Sequence, residues 1–445
     1  MTDKISNKNW YIDKFKAFEK RLNGESNSEL HQFRKKAIHL FSKLDFPTTK
    51  NEEWKYTSLS EVLNYEFTPA CLNERSIDTK KLEKILAEYR DKNYLVFVNG
   101  FLSKEYSNIL LPKTSVSVDS LETVHSSGDE VFSQHFGKYS NFDNGFNALN
   151  GAFVEDGAFI HVPNDQVVTE PIYLIYLNGK ENVNILSQPR NLFVFGRNSQ
   201  ASFVEVHQPI SEFPYLTNAL TEIFLDEKAF IDHYKIQKES LSSFHISKIQ
   251  IEQKTNSKYT SHNISLGGSL TRNDINSVLN GKGCEANYFG LYFVDKKQHV
   301  DNHTLVDHAM PHCLSNEYYK GILAEESKGV FNGKIMVRKD AQKTNAYQSN
   351  KNLLLSGSAR IDTKPQLEIF ADDVRCTHGA TIGQIDEEAL FYLRARGIDE
   401  KNARSLLINA FASDILDFIK IEEIKSQLDK VVFEKMKLIL SGEQN

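Results

Sequence analysis

Between Pro171 and Ala371 the sequence is a succession of short β-rich runs: PIYLIYL (171–177), NLFVFG (191–196), ASFVEVH (201–207), AFIDHYKIQ (229–237), HISKIQIEQ (245–253), YTSHNISLGG (259–268), NYFGLYFV (287–294), NEYYKGIL (316–323), KIMVRK (334–339) and QLEIFA (366–371). Apolar and polar residues alternate within the runs, as in strands with one face buried. Small residues recur where one run turns into the next: Ala158, Ala201, Ala229, Ser257, Gly283, Gly329 and Ala359. Their spacing falls at one or two multiples of roughly 22–30 residues, the kind of period that solenoids show. The prolines of this region stand between runs or at a run's first residue, where a strand tolerates them. No helical periodicity separates the runs. The pattern predicts a mainly β fold, a coil of parallel strands in which each rung pairs with the next and only the end rungs stay open. A large antiparallel sandwich is the alternative.

On either side the period changes to that of helices. Ser26 and Glu29 read as a capping box ahead of Leu30, Phe33, Ala37, Leu40, Phe41 and Leu44, before Pro47. An aromatic and charged cluster, NEEWKYT (51–57), follows, then a helix candidate over Lys80–Tyr89 and a strand, NYLVFVNG (93–100). Residues 101–150 are polar and read as loop with short helices. Beyond the β runs, Asp399 caps a stripe of Ala403, Leu406, Leu407, Ala410, Phe411, Ile415, Phe418 and Ile419, and a last amphipathic stretch runs from Ile424 to Ile439. Such a stripe either docks on its own domain or offers a face to a partner. The expected division is an N-terminal helical region (1–92), a β-helix core with its lead-in (93–382) and a C-terminal helical region (383–445).

Composition narrows the function. The chain has 445 residues, 40% of them hydrophobic, and a formal charge of −6. No basic stripe points to nucleic acid. The apolar runs are far too short to span a bilayer, and the polar start, MTDKISNKNWYIDKF, has no signal-peptide core. The four cysteines, Cys71, Cys284, Cys313 and Cys376, suggest no disulfide framework, so a reduced, cytoplasmic location is expected.

The strongest chemical signal is ADDVRCTHGATIGQIDEEALFYLRARGI (371–398), where strand spacing gives way to a helix capped by Asp386. In an extended chain Cys376 and His378 project from one face. Thiolate and imidazole together suit zinc or an iron–sulfur centre, or a nucleophile with its base, and two ligands leave a metal site half complete. A packed cysteine beside a hydrogen-bonded histidine is the plainer alternative. A second candidate, His299, His303, His308, His312 and Cys313, has enough ligands for zinc but no HExxH arrangement, and its role stays unassigned. Two glycine-rich segments fail as nucleotide sites. In GVFNGKI (329–335) the glycines are too close and Ile335 replaces the magnesium-binding hydroxyl, while GKGCEA (281–286) runs into a strand. The chain is expected to bind no nucleotide.

The segment DTKPQLEIFADDVRCTHGATIGQIDEEALFYLRARGI (362–398) resembles the signature of the SufB/SufD family, subunits of the SUF iron–sulfur cluster assembly complex. EEWKYTSL (52–59), CLSNEYYKGIL (313–323), GVFNGKI and NAYQSNKNLLLS (345–356) agree. Cys376-Thr-His378 stands where the SufB branch has a Glu-His-Glu type segment, so the SufD branch is the better match. The resemblance implies a right-handed parallel β-helix between two helical regions, and a heterodimer with SufB formed near the last rungs. In isolation a homodimer is the alternative assembly. It implies that the ATPase SufC docks on the C-terminal helices, with Phe411, Ile415 and Phe418 in the unit that carries it. His378, with Cys376 nearby, would be a ligand of a transient iron–sulfur cluster shared with SufB. The chain itself would be a scaffold without turnover. The competing function for a bare β-helix is an enzyme acting on polysaccharide, with or without a bound metal, which would want a groove lined with carboxylates.

Overall fold

A computed structural model describes residues 7–22, 28–71, 79–112 and 114–441. Its centre is a β-solenoid of about eight turns with helices at both ends of the chain. Each turn gives one strand to each of two sheets, and a strand pairs in parallel with its counterpart in the next turn. Leu216 lies opposite Phe244, Phe244 opposite Leu270 and Lys328 opposite Arg360. These steps are 28 (216 to 244), 26 (244 to 270) and 32 (328 to 360) residues, the first two within the spacing of the small residues and the third a little longer.

The turn geometry explains that spacing. Asn198, Lys228, Asn256, Gly283, His312 and Lys343 all have positive φ, and each stands two residues before a strand of the second sheet. The left-handed conformation reverses the chain at that corner, which is why asparagine and glycine occur there. The residue that follows is Ser199, Ala229, Ser257, Cys284, Cys313 or Thr344, in each case small and buried, because the corner leaves little room inside. Cys284 and Cys313 are therefore corner residues of successive turns. Pro365 departs from the expected placement of prolines, since it lies in mid-strand within Arg360–Ile369. That strand is the outermost of its sheet, so the missing N–H breaks no ladder continued beyond it.

Many inward positions of the early turns are apolar: Phe193, Phe195, Phe203, Ile223 and Ile231 share one core. The outer face of the first sheet is covered by the N-terminal region. Phe41, Phe46, Trp54 and Phe146 pack there with Leu216, Phe244, Ile246 and Leu270. The helix Glu29–Leu44 is capped by Ser28, whose side chain accepts from the His31 N–H, whereas Ser26 lies outside the described residues. The polar 101–150 segment holds the short helices Leu121–Ser127, Glu130–His135 and Gly145–Ala152. The outer face of the second sheet is covered by the helices Glu387–Ala395, Glu400–Leu416 and Glu422–Ser441. Asp386 and Asp399 cap the first two of these through backbone N–H groups, as their positions in the sequence predict.

Burial of histidine makes the fold acid-sensitive. Desolvation lowers His262 to about 3 and His308 to about 4, from an ordinary value near 6.5. An unfolded chain takes up these protons below pH 6.5 while the folded chain refuses them. Stability is thus unaffected above that pH and falls by about 1.4 kcal/mol per pH unit for each such histidine as the pH drops towards 4. We expect the urea midpoint to fall steadily from pH 6.5 to 4.5. His308→Gln should make that fall shallower, and an unchanged slope would assign the protons elsewhere.

Candidate functional site at the open end of the solenoid

The strands Arg360–Ile369 and Arg375–Gly383 end the two sheets, and among the described residues neither has a neighbour on its outer edge. Unpaired edges of this kind are otherwise covered, charged or used for pairing. Along the second sheet, Tyr288 is opposite Glu317, Glu317 opposite Gln348, and Gln348 opposite His378. Tyr288, Glu317 and Gln348 are wholly buried inward-facing residues, so His378 continues an interior column at the point where no further turn covers it. It is exposed. Cys376 stands two residues away on the same face, opposite Ala346, and packs half-buried against Ile335, Val337, Ala341, Ala346 and Ala371. Burial pushes its thiol above the ordinary value, so a metal binding there would displace a proton. Behind His378, burial pushes the Glu317 carboxyl up to about 7, while Thr304 and Gln348 hydrogen-bond to it.

The NEEWKYT segment lies across the outer face of the first sheet. The Arg272 guanidinium sits 3.8 Å over the Trp54 ring and donates to Asp301 Oδ2 and to the Glu53 carbonyl, both at 2.7 Å. Lys328 donates to the Tyr56 carbonyl and Lys364 pairs with Glu52. The clamp joins the N-terminal region to turns as late as the last.

The histidine-rich segment does not converge. His299 shares a hydrogen bond of 2.9 Å with Thr57, and His303 lies 3.0 Å from Asp301 and 3.3 Å from Glu53, all on the outer face. His308 is buried against Ser315, His312 forms a corner, and Cys313 lies inside it. Among the described residues the group of three potential ligands that does converge is His207, Glu239 and His245. Sequence reading passed over it because its members come from two strands and a loop. The available hint was charge at inward positions of otherwise apolar runs: Glu205 and His207 in ASFVEVH, His233 and Lys235 in AFIDHYKIQ. GVFNGKI belongs to the strand Lys328–Val337, with no loop to hold phosphate.

Phe411, Ile415 and Phe418 fix the helical tail to the solenoid. Ile415 is fully buried, Phe411 lies 4.1 Å from the Lys320 ammonium, and Phe418 stacks on Phe289 at 4.0 Å while remaining 41% exposed. Ile415→Ala should therefore loosen the tail by about 2–5 kcal/mol, and Phe418→Ala by less. Proteolysis of the 400–441 segment is the readout, and equal effects of the two substitutions would contradict this packing.

The profile "SUF system FeS cluster assembly, SufBD core domain" matches residues 176–411, and that of the "SufBD protein N-terminal region" matches residues 5–174. The chain belongs to the SufBD family. A SufBD family protein of Synechocystis is 34% identical over 419 residues, covering 92% of either chain. The iron-sulfur cluster assembly protein SufD of Escherichia coli is 30% identical, covering 86% of this chain and 87% of its own. Protein ABCI7, chloroplastic, of Arabidopsis thaliana is 30% identical over 90% of this chain and 85% of its own. This SufBD family member thus belongs to iron–sulfur cluster assembly and the SUF system. None of its described helices is long and apolar enough to cross a membrane.

Proposed function

We propose that this chain is the SufD-type, non-catalytic scaffold subunit of a SUF assembly complex. It pairs with SufB across the open last turn, carries the ATPase SufC on its C-terminal helices, and holds a nascent iron–sulfur cluster as cargo between His378 and ligands of SufB. The observation that supports this reading is the coincidence of two features: unpaired strand edges, and a Cys376–His378 face that ends an interior column in solvent. Exposed Tyr347, Ile369, Phe370 and Ile382 surround that end, an apolar rim suited to a second protein. A partner strand adding to the edge would complete both the sheet and the half-formed ligand set. Phe411, Ile415 and Phe418 serve SufC by holding the tail in place. The face offered outward carries Phe391, Tyr392, Leu406 and Phe433.

Co-expression tests the reading. A tagged chain should retain untagged SufB and SufC through size exclusion, and the pure chain should hydrolyse no ATP. Retention of SufC but not SufB by the wild-type chain would remove the interface role of the last turn.

A further inference from the structure

Far from the open end, the interior of the early turns holds a charged cluster that the proposed scaffold role does not use. Glu205 and His207 point inward from the strand Gln200–Pro209, His233 and Lys235 from Phe230–Gln237, and His245 from Phe244–Gln253. Glu239 reaches them from the connecting loop. All six are buried. His207, Glu239 and His245 each offer one ligand atom, and the three atoms lie within 4.8 Å of one another. His245 Nδ1 is 2.7 Å from Glu239 Oε2, yet neither ring nitrogen of His245 has an aligned hydrogen-bond partner, nor does His207 Nδ1.

From this geometry we infer that His207, Glu239 and His245 form an internal site for a borderline divalent cation of the iron(II) and zinc group. Two imidazoles and one carboxylate are a recurrent ligand set for such ions, with positions left open for water. Bonds of about 2.0–2.2 Å at tetrahedral angles put ligand atoms about 3.3–3.6 Å apart, so small side-chain rotations from the observed spacing close the site.

The surroundings are those of a supported ligand set. Glu205 Oε2 lies 3.5 Å from His207 Nε2 and its Oε1 lies 3.4 Å from His233 Nε2, while His233 Nδ1 meets the Tyr259 hydroxyl at 2.7 Å. A carboxylate on the far nitrogen orients a ligating imidazole. Thr217 donates to Glu239 Oε1 at 2.7 Å and Gln237 to Oε2 at 3.1 Å, holding the carboxylate in place. Two carboxylates, Glu205 and Glu239, lie with one lysine, Lys235, which Ser247 and Asn273 hold, in a dry interior where unpaired ring nitrogens carry a desolvation cost.

The test uses the full chain carrying Cys376→Ser and His378→Ala, so that the open end contributes no ligands. Protein expressed with cobalt(II), a spectroscopic stand-in for zinc, should retain one ion per chain after dialysis. Its X-ray absorption should fit imidazole and oxygen neighbours without sulfur. Glu239→Gln and His245→Gln, each checked by circular dichroism, should weaken retention by more than about 10-fold. Absence of retained cobalt from the folded parent would overturn the site and leave a water-filled polar pocket, and a sulfur-containing shell would overturn it equally. Unchanged retention in both folded variants has the same force. Should the variants not fold, the absorption spectrum of the parent decides alone. Loss of SufB binding in other experiments would not bear on this result, because the cluster is remote from the last turn.

Discussion

Arg272→Ala is expected to cost about 3–5 kcal/mol of stability and to release the N-terminal segment from the solenoid. The side chain is buried, and all three guanidinium nitrogens are engaged: Nη1 with Asp301 and the Glu53 carbonyl, Nη2 and Nε with Asp274 at 2.9 and 3.2 Å. Its removal leaves Asp301 in a dry site. Burial alone would raise that carboxyl, but His303 and Arg272 outweigh it and hold the group far below the ordinary range. Losing the guanidinium therefore removes a cationic partner of a buried carboxylate and also uncovers the face of Trp54. Arg272→Lys should recover only part of the loss, since an ammonium cannot match the forked contacts. The double variant Arg272→Met with Asp301→Asn should recover more, because removing both charges avoids the uncompensated one. Urea unfolding with proteolysis of residues 45–65 is the measurement. An Arg272→Ala protein with an unchanged midpoint would show that the clamp contributes nothing.

Much of this fold is legible in the sequence because its signals are local. Asp386 and Asp399 cap helices within three residues of themselves, and alternation in runs such as NYFGLYFV needs only neighbouring residues. The corner glycine and asparagines betray a turn whose φ no bulky residue adopts easily. The face shared by Cys376 and His378 follows from strand spacing alone. What is not legible depends on pairings distant in the chain. Trp54 meets Arg272 across 218 positions (54 to 272), and only the winding of the solenoid brings them together. The histidines from His299 to His308 look like one cluster in sequence, yet a strand sends His299 and His303 outward and His308 inward. Conversely His207, Glu239 and His245 meet only because successive turns stack. Ile415 and Phe418 look alike in an apolar stripe, and only the docked helix separates a wholly buried side chain from a half-exposed one.

His378→Ala is expected to lower the cluster content of the assembled complex by about tenfold or more while leaving the chain folded and the complex intact. The structural half of this expectation rests on exposure. The His378 ring stands at the outer edge of the last strand, where substitutions usually change stability by within about 0.5 kcal/mol. The chemical half rests on coordination. An iron site needs its full ligand set, and an open half-site with one donor removed cannot be completed by the remaining groups. Cys376→Ser should cost less. Its thiol is half-buried and held protonated by that burial, so it is the poorer donor in the resting chain, and in the proposed complex the partner would supply the sulfur ligands. The readout is iron and acid-labile sulfide per complex after reconstitution, beside a size-exclusion profile. Full cluster content in a His378→Ala complex would remove the ligand role. A complex that dissociates instead would assign His378 to holding the interface by hydrogen bonds, and Tyr347 and Phe370 at the same rim would then become the residues to test for pairing.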